Sequence, residues 1–334
     1  MRIAVMGSGS WGTAFAMVLA DADNEVVIWG RDPRLAEAIS QQHENPSYHP
    51  GIPLPPALAA TTDAAAALSD AEVVVLAVPA QSLRTNLGVW TPALRDDVVL
   101  VSLMKGIEQG TTLRMSEVAA EVAGIPAERV AVVSGPNLAR EIALRQPAAT
   151  TVACPDEGTA ERLANGCSTA YFRPYWTTDI VGTEIGGSVK NVIALANGMA
   201  VGMGFGENAQ SSLITRGLAE MTRLGIALGA SPLTFLGLAG IGDLVATCQS
   251  PLSRNRSFGE RLGQGMTLEE ATAVTTQTCE GVKSCQSILD LAVTNGVDMP
   301  ITEQVVQVVH HGLDPRHMLR SFMSRATKAE AEMS

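Results

Sequence analysis

The first half of the chain is marked by short apolar runs at Arg2–Met6, Glu25–Trp29, 73–78, 98–102, Val130–Ser134 and 150–153. They are continuously apolar instead of alternating, the pattern of strands covered on both faces. Between them, stretches such as 13–20 and 35–41 carry apolar residues at helical spacing. Strands separated by helices predict a parallel sheet of the doubly wound α/β class, with ligands beyond the carboxyl ends of the strands. Past about residue 179 the pattern becomes helical throughout. Ile214, Leu218, Met221, Leu224 and Leu228 fall on one helix face, and 182–201, 267–275 and 281–294 also read as helices. The expected organisation is a Rossmann-like domain over 1–180, an all-α domain over 181–325 and a polar tail at 326–334. No tandem repeat is evident.

The strand ends carry the informative residues. The first is followed by Gly7-Ser8-Gly9-Ser10-Trp11-Gly12, a G-x-G-x-x-G loop between a strand and a helix. The first glycine permits the tight turn, the second lets a pyrophosphate approach the backbone, and the third lets the helix pack against the sheet. The helix N-terminus then offers free N–H groups to the phosphates. After the second strand comes Gly30-Arg31-Asp32. Arg31 suits a 2′-phosphate, while Asp32, about twenty residues past the loop, suits a ribose 2′-OH. An ordinary surface Arg–Asp pair is the plain alternative. The favoured cofactor is NADP, with NAD tolerated and NADPH as the reduced form. Further strands end at Pro79-Ala80-Gln81-Ser82, Leu103-Met104-Lys105-Gly106 and Gly135-Pro136-Asn137.

Charge narrows the partners. The net charge of −11 and the lack of a basic stretch argue against nucleic acid or an anionic membrane. An anionic substrate would rely on a few local cations. The uncharged stretch 191–206 is broken by asparagine and glycine and does not read as a membrane span. The five cysteines form no C-x-x-C pair and read as free thiols in a reducing compartment, hence a cytoplasmic protein. The strand and glycine loop begin at once, so no signal peptide is expected. His43, His49, His310, His311 and His317 show no zinc spacing, and no metal is expected.

Of the 23 cations only four are lysines: Lys105, Lys190, Lys283 and Lys328. Arginine keeps its proton, whereas a lysine can have its pKa lowered and exchange one. Lys283 reads as a surface residue and Lys328 lies in the tail. Lys105 stands on the ligand rim. Lys190 sits inside the apolar helical stretch 186–194, followed by Asn191. Either its head snorkels to water or its ammonium is held inside a site. A partly desolvated lysine beside a carboxylate can give a proton to a carbonyl oxygen near neutral pH. Asp243 in Gly240-Ile241-Gly242-Asp243 is the candidate carboxylate, with a helix N-cap as the plain alternative. Ser253-Arg254-Asn255-Arg256 is a candidate anion loop, or an exposed basic loop.

These motifs, taken in order, resemble the bacterial-type NAD(P)-dependent glycerol-3-phosphate dehydrogenases over roughly residues 1–320. The resemblance rests on Gly7–Gly12, on Asn45, Tyr48 and Pro50-Gly51-Ile52, and on Ser102–Glu108 and Gly135–Glu141. It continues through Ser188–Val192, Gly240–Leu244, Ser253-Arg254-Asn255 and Glu280-Gly281. His49 departs from it, where that family carries leucine, and affects local packing. The resemblance implies a Rossmann domain followed by a helical domain like that of 6-phosphogluconate dehydrogenase, with the active site in a closing cleft. It implies reversible reduction of dihydroxyacetone phosphate to sn-glycerol 3-phosphate for phospholipid synthesis. Lys190 would be the proton donor, Lys105 would touch cofactor and substrate, and Asp243 would orient the site with Thr247 beside it. Gly135, Asn137, Asn191, Ser253, Arg254 and Asn255 would contact the substrate. Gly7, Gly9, Ser10, Trp11, Gly12, Arg31, Ala139, Arg254 and Glu280 would contact the cofactor. A homodimer is implied. The competing readings are a two-domain dehydrogenase of another hydroxy acid and a non-catalytic NAD(P)H sensor.

Overall fold

The computed structural model describes residues 1–275 and 279–318. Lys328 and the tail 326–334 lie outside the described residues, as do 319–325. The chain divides into two compact units. The first comprises Met1–Met104 and Arg114–Ile180; the second comprises Lys105–Leu113 and Val181 onward.

The first unit is built on one eight-stranded sheet. Its strands are β1 (Arg2–Met6), β2 (Glu25–Trp29), β3 (Ala59–Thr61), β4 (Val73–Leu76), β5 (Val99–Ser102), β6 (Val130–Ser134), β7 (Ala148–Ala153) and β8 (Phe172–Thr177). Their order, β3-β2-β1-β4-β5-β6-β7-β8, reverses direction of growth between β1 and β4, the switch point at which doubly wound sheets bind ligands. Valine, isoleucine and leucine fill the central strands, and β4, β5 and β6 are buried at every position.

Two expectations need correction. The sheet is not wholly parallel, because β7 runs antiparallel to β6 before β8 pairs parallel with β7. The sheet also holds two strands that the apolar runs do not mark, β3 and β8. The helix expected over 35–41 is also not regular: Pro33–Glu37 is α-helical and Ala38–Gln42 is wound as a π-helix.

From Val181 onward the second unit is helical in its described residues. Its first helix, Ile180–Gly202, is buried on nearly every side and runs through the core, where Val189, Val192, Ile193 and Leu195 are fully buried. Against it packs the helix Arg254–Gly263 at close range. A Cβ at Gly198 would strike the Arg256 carbonyl, and a Cβ at Gly259 would strike the Leu195 carbonyl. Glycines on both helices therefore allow the backbones to touch, bringing Asn255 within hydrogen-bond reach of Asn191. The stretch Pro232–Gln249 is apolar enough by composition to cross a membrane, with mean hydropathy 1.2. It is not one regular helix. Gly240, at φ −101° and ψ −108°, breaks it, and it carries the buried Asp243.

Candidate active site

The glycine loop of the first unit has the local geometry its sequence demands. Gly7 takes φ +140°, and a side chain there would run into the Ala77 carbonyl at the end of β4. A Cβ at Gly12 would strike the Gly7 carbonyl, so the helix Ser10–Asp21 approaches the loop only because residue 12 lacks one. Gly9 differs: a Cβ there would meet nothing within 4 Å. The loop is held from below. Asn45 Nδ2 donates to the Ser8 carbonyl at 3.1 Å and to Thr13 Oγ1 at 2.9 Å. The buried His49 donates from Nε2 to the Ser10 carbonyl at 2.8 Å. Burial lowers its pKa, the Ser10 bond opposes this and the Arg140 charge adds to it. Trp11 packs its ring 5.4 Å from that of Phe15, and its buried Nε1 has no partner among the described residues.

These features fit a dinucleotide: an open backbone face at Gly9, a helix N-terminus behind it, and an indole N–H left for a ligand. At the end of β2, Asp32 has a local partner. Its carboxylate accepts from the Arg34 N–H at 3.0 Å and caps the helix Pro33–Glu37. Arg31 beside it is exposed. Also in the first unit, Gly135 takes φ +148°, and Asn137 Nδ2 donates to Thr150 Oγ1 at 2.9 Å. Ala139 opens the helix Ala139–Ala143.

The second unit gathers the ionisable residues. Asp243 is 1% exposed and grips two ammonium groups: Lys105 Nζ at 2.6 Å from Oδ2 and Lys190 Nζ at 2.7 Å from Oδ1. Lys190 Nζ also donates to Thr247 Oγ1 at 2.6 Å, and Thr247 stands one turn on from Asp243. Asp243 is thus not an N-cap; Gly242 occupies that place, and the carboxylate points into the protein. Lys190 does not snorkel, being 6% exposed. Burial pushes its pKa down to about 8; Asp243 opposes this and Lys105 adds to it. For Asp243 burial acts to raise the pKa, but the two ammonium groups outweigh it and hold the carboxyl below its ordinary range.

A second hydrogen-bonded chain runs beside the first. Asn255 Oδ1 accepts from Gly281 N and from Cys279 Sγ, each at 2.9 Å. Asn255 Nδ2 donates to Asn191 Oδ1 at 2.9 Å, and Asn191 Nδ2 reaches the Lys105 carbonyl at 3.4 Å. Both amides are therefore largely occupied by protein partners. Ser253 caps the helix Arg254–Gly263, accepting from Arg256 N at 3.2 Å. Arg254 is its first residue, and Glu280 opens the helix Glu280–Thr294. Lys283 lies near the start of that helix as well, and its carbonyl accepts from Gln109 Nε2 at 2.7 Å.

Lys105, Lys190, Asn191, Asp243, Thr247, Ser253, Arg254, Asn255 and Glu280 all belong to the second unit. The glycine loop, Arg31, Gly135, Asn137 and Ala139 belong to the first. Lys105 is the instructive case. It follows a strand of the sheet in sequence, and the expected boundary put it in 1–180, yet the segment Lys105–Leu113 packs with the helical unit. There its ammonium meets Asp243, 138 residues away in sequence. Among the described residues, no group of three or more His, Cys, Asp or Glu side chains is placed to hold a metal.

The sequence model for the N-terminus of NAD-dependent glycerol-3-phosphate dehydrogenase matches residues 2–160, and that for its C-terminus matches residues 179–320. The chain is 64% identical to a glycerol-3-phosphate dehydrogenase [NAD(P)+] of Streptomyces coelicolor, covering 99% of this chain and 98% of that one. It is also 64% identical to the enzyme of that name from Thermobifida fusca, covering 98% of each. The crystal structure of glycerol-3-phosphate dehydrogenase from Coxiella burnetii superposes with a TM-score of 0.91 at 36% identity, covering 97% of this chain and 98% of that one. With matches over both units and identity sustained along nearly the whole length, the chain belongs to the NAD-dependent glycerol-3-phosphate dehydrogenase family.

Proposed function

We propose that this protein is an NAD(P)-dependent glycerol-3-phosphate dehydrogenase. It interconverts dihydroxyacetone phosphate and sn-glycerol 3-phosphate, with reduction as the working direction and glycerophospholipid synthesis as the outlet. The observation that carries the reading is the buried Asp243 held between Lys105 and Lys190, with Lys190 brought to a pKa of about 8.

The dinucleotide, when bound, supplies a hydride to the carbonyl carbon. The chain must then supply a proton to the carbonyl oxygen. Lys190 is poised for this, since its proton is held loosely enough to leave near neutral pH and tightly enough to be present. Asp243 keeps the ammonium in place and offsets the repulsion between the two lysines. Lys105 adds a second positive charge where negative charge develops on oxygen. After transfer Lys190 is neutral and recovers its proton from solvent; in oxidation it accepts the hydroxyl proton. The substrate phosphate is assigned to Ser253, Arg254 and Asn255, where a ten-residue helix begins and a guanidinium can bind two phosphate oxygens.

NADPH is the preferred reductant in this reading. Arg31 is exposed and can meet a 2′-phosphate, while Asp32, the residue suited to a 2′-OH, has one oxygen engaged in capping a helix. A cytoplasmic homodimer completes the proposal; five free, buried cysteines suit a reducing compartment, and sedimentation reads the assembly. The direct test is a steady-state assay with dihydroxyacetone phosphate and each reduced cofactor. Turnover with NADPH is expected, and replacing Arg31 by alanine should cut the NADPH-to-NADH ratio of kcat/KM about tenfold, the effect of losing one exposed charge pair of about 1.4 kcal/mol. No turnover with either cofactor overturns the reading. A dead enzyme that still binds NADPH would favour the sensor alternative, against which the retained Lys105, Lys190 and Asp243 already speak.

A further inference from the structure

The Lys105 ammonium is only as well placed as the backbone that carries it. The segment Lys105–Leu113 forms no regular helix or strand of its own. It is tied to the second unit through side chains instead. Ser287 Oγ lies 2.9 Å from the Ile107 carbonyl, Gln109 Nε2 donates to the Lys283 carbonyl at 2.7 Å, and Asn191 Nδ2 reaches the Lys105 carbonyl at 3.4 Å. The first two ties end on the helix Glu280–Thr294. The third depends on it too, because Gly281 N and Cys279 Sγ at its start orient Asn255, which orients Asn191.

Ser287 stands out among these. It is 1% exposed, and its carbonyl partner lies 180 residues away in sequence. Its other acceptor is the Ser284 carbonyl at 3.1 Å, the ordinary back-bond of a serine within a helix. Ser284, equally buried one turn away, has a hydroxyl with no partner among the described residues. Of two serines of similar burial on one helix, only Ser287 reaches the segment that carries Lys105.

We propose that Ser287 is a positioning residue for the reaction, holding the Ile107 carbonyl so that the Lys105 ammonium stays on Asp243. This rests on the reading of Lys105 and Lys190 as reacting groups. Misplacing a charge by about 1 Å costs up to about a hundredfold in rate. Because the Lys105 charge lowers the proton affinity of Lys190, releasing Lys105 also moves the basic limb of the reduction profile upward from about pH 8.

The experiment is a set of variants of the full chain, assayed for reduction across pH. Ser287→Ala is expected to lose about ten- to hundredfold in kcat, with the basic limb shifted up. Ser287→Cys, which keeps a weak donor, should recover part of both, and Ser284→Ala should stay within about twofold of the parent. In a Lys105→Met background, Ser287→Ala should do nothing more, the signature of two residues acting through one contact. Equal effects of the two alanine variants, an unmoved pH limb, or full additivity with Lys105→Met overturns the proposal. Should Ser287→Ala fail to fold, Gln109→Ala on the exposed side must produce a smaller upward shift of the same limb, and its absence overturns the proposal equally. If Lys105→Met alone retains full turnover, it is the functional reading that fails; if that variant is dead while Ser287→Ala is normal, only the role of Ser287 fails.

Discussion

The glycine loop and the lysine–aspartate cluster are built in opposite ways. The loop is six consecutive residues, and what it needs is backbone: a positive φ at Gly7 and no side chain at Gly12. The cluster draws Lys105, Lys190 and Asp243 from three distant segments, and what it needs is tertiary packing. Its members have no shared local pattern. The loop can therefore be damaged by a single methyl group, whereas the cluster is damaged by removing charge. Each kind of change should leave the other region intact.

The largest effect is expected from Lys190→Ala. Losing the proton donor should lower kcat by about 10²–10⁴-fold, the usual worth of a positioned acid. NADPH binding, followed by fluorescence, should change little, because the glycine loop is untouched. The parent enzyme supplies the companion measurement. Reduction needs Lys190 protonated, so its rate should fall as pH rises through about 8; oxidation needs it neutral and should rise over the same interval. A Lys190→Ala variant with normal turnover would remove the proposed mechanism.

The loop is broken next, and two glycines separate fold from binding. Gly12→Ala places a methyl against the Gly7 carbonyl and 3.0 Å from Ala77 Cβ, obstacles that include backbone. It should destabilise the first unit by about 1–3 kcal/mol, the usual penalty for overpacking. Gly9→Ala meets nothing within 4 Å and should leave the melting temperature unchanged. If a pyrophosphate lies against that face, the same methyl should raise the NADPH KM by about tenfold or more, or about 1.4 kcal/mol. A Gly9→Ala variant with unaltered KM would mean that the dinucleotide does not approach the loop there.

This difference also decides what was legible in the sequence. β1, β2 and β6 lie where the apolar runs place them, since a strand buried on both faces is written as consecutive aliphatics. β8 is not legible because Phe172–Thr177 carries Arg173, Pro174 and exposed aromatics, the mixed composition of an edge strand. β3 is three residues of alanine and threonine and has no pattern to find. The antiparallel turn of β7 is a matter of pairing, which composition does not encode. Lys190 was conspicuous as a charge in an apolar helix. The placement of Lys105 with the helical unit, and Ser287 beneath it, had no signal: a buried serine in an apolar helix face looks like any small residue.

The smallest expected effect concerns a second buried carboxylate, which asks whether charge inside the helical unit is governed by burial or by partners. Glu220 is 1% exposed on the helix Glu207–Ala227 and caps the helix Pro300–His311 from outside, accepting from Ile301 N at 2.5 Å and from Thr302 N and Oγ1 at 3.2 Å. Burial pushes its pKa up to about 7; the backbone and hydroxyl donors and the Arg223 charge oppose this without reversing it. Asp243, with two ammonium partners, is held low instead. The two acids then act on stability with opposite slopes. The Asp243 contribution is present above the ordinary carboxylate range and fades as pH falls through its lowered value. The Glu220 contribution is full below about 4.5, the unfolded value, and is lost as pH rises through about 7. Glu220→Gln should flatten the fall in unfolding free energy over that window, a change on the order of 1 kcal/mol, while lowering stability overall because one amide end faces backbone donors. Denaturant midpoints at pH 5 and pH 8 measure both. An unchanged slope would mean that the helix N-terminus, acting as the two lysines do for Asp243, keeps Glu220 ionised despite its burial.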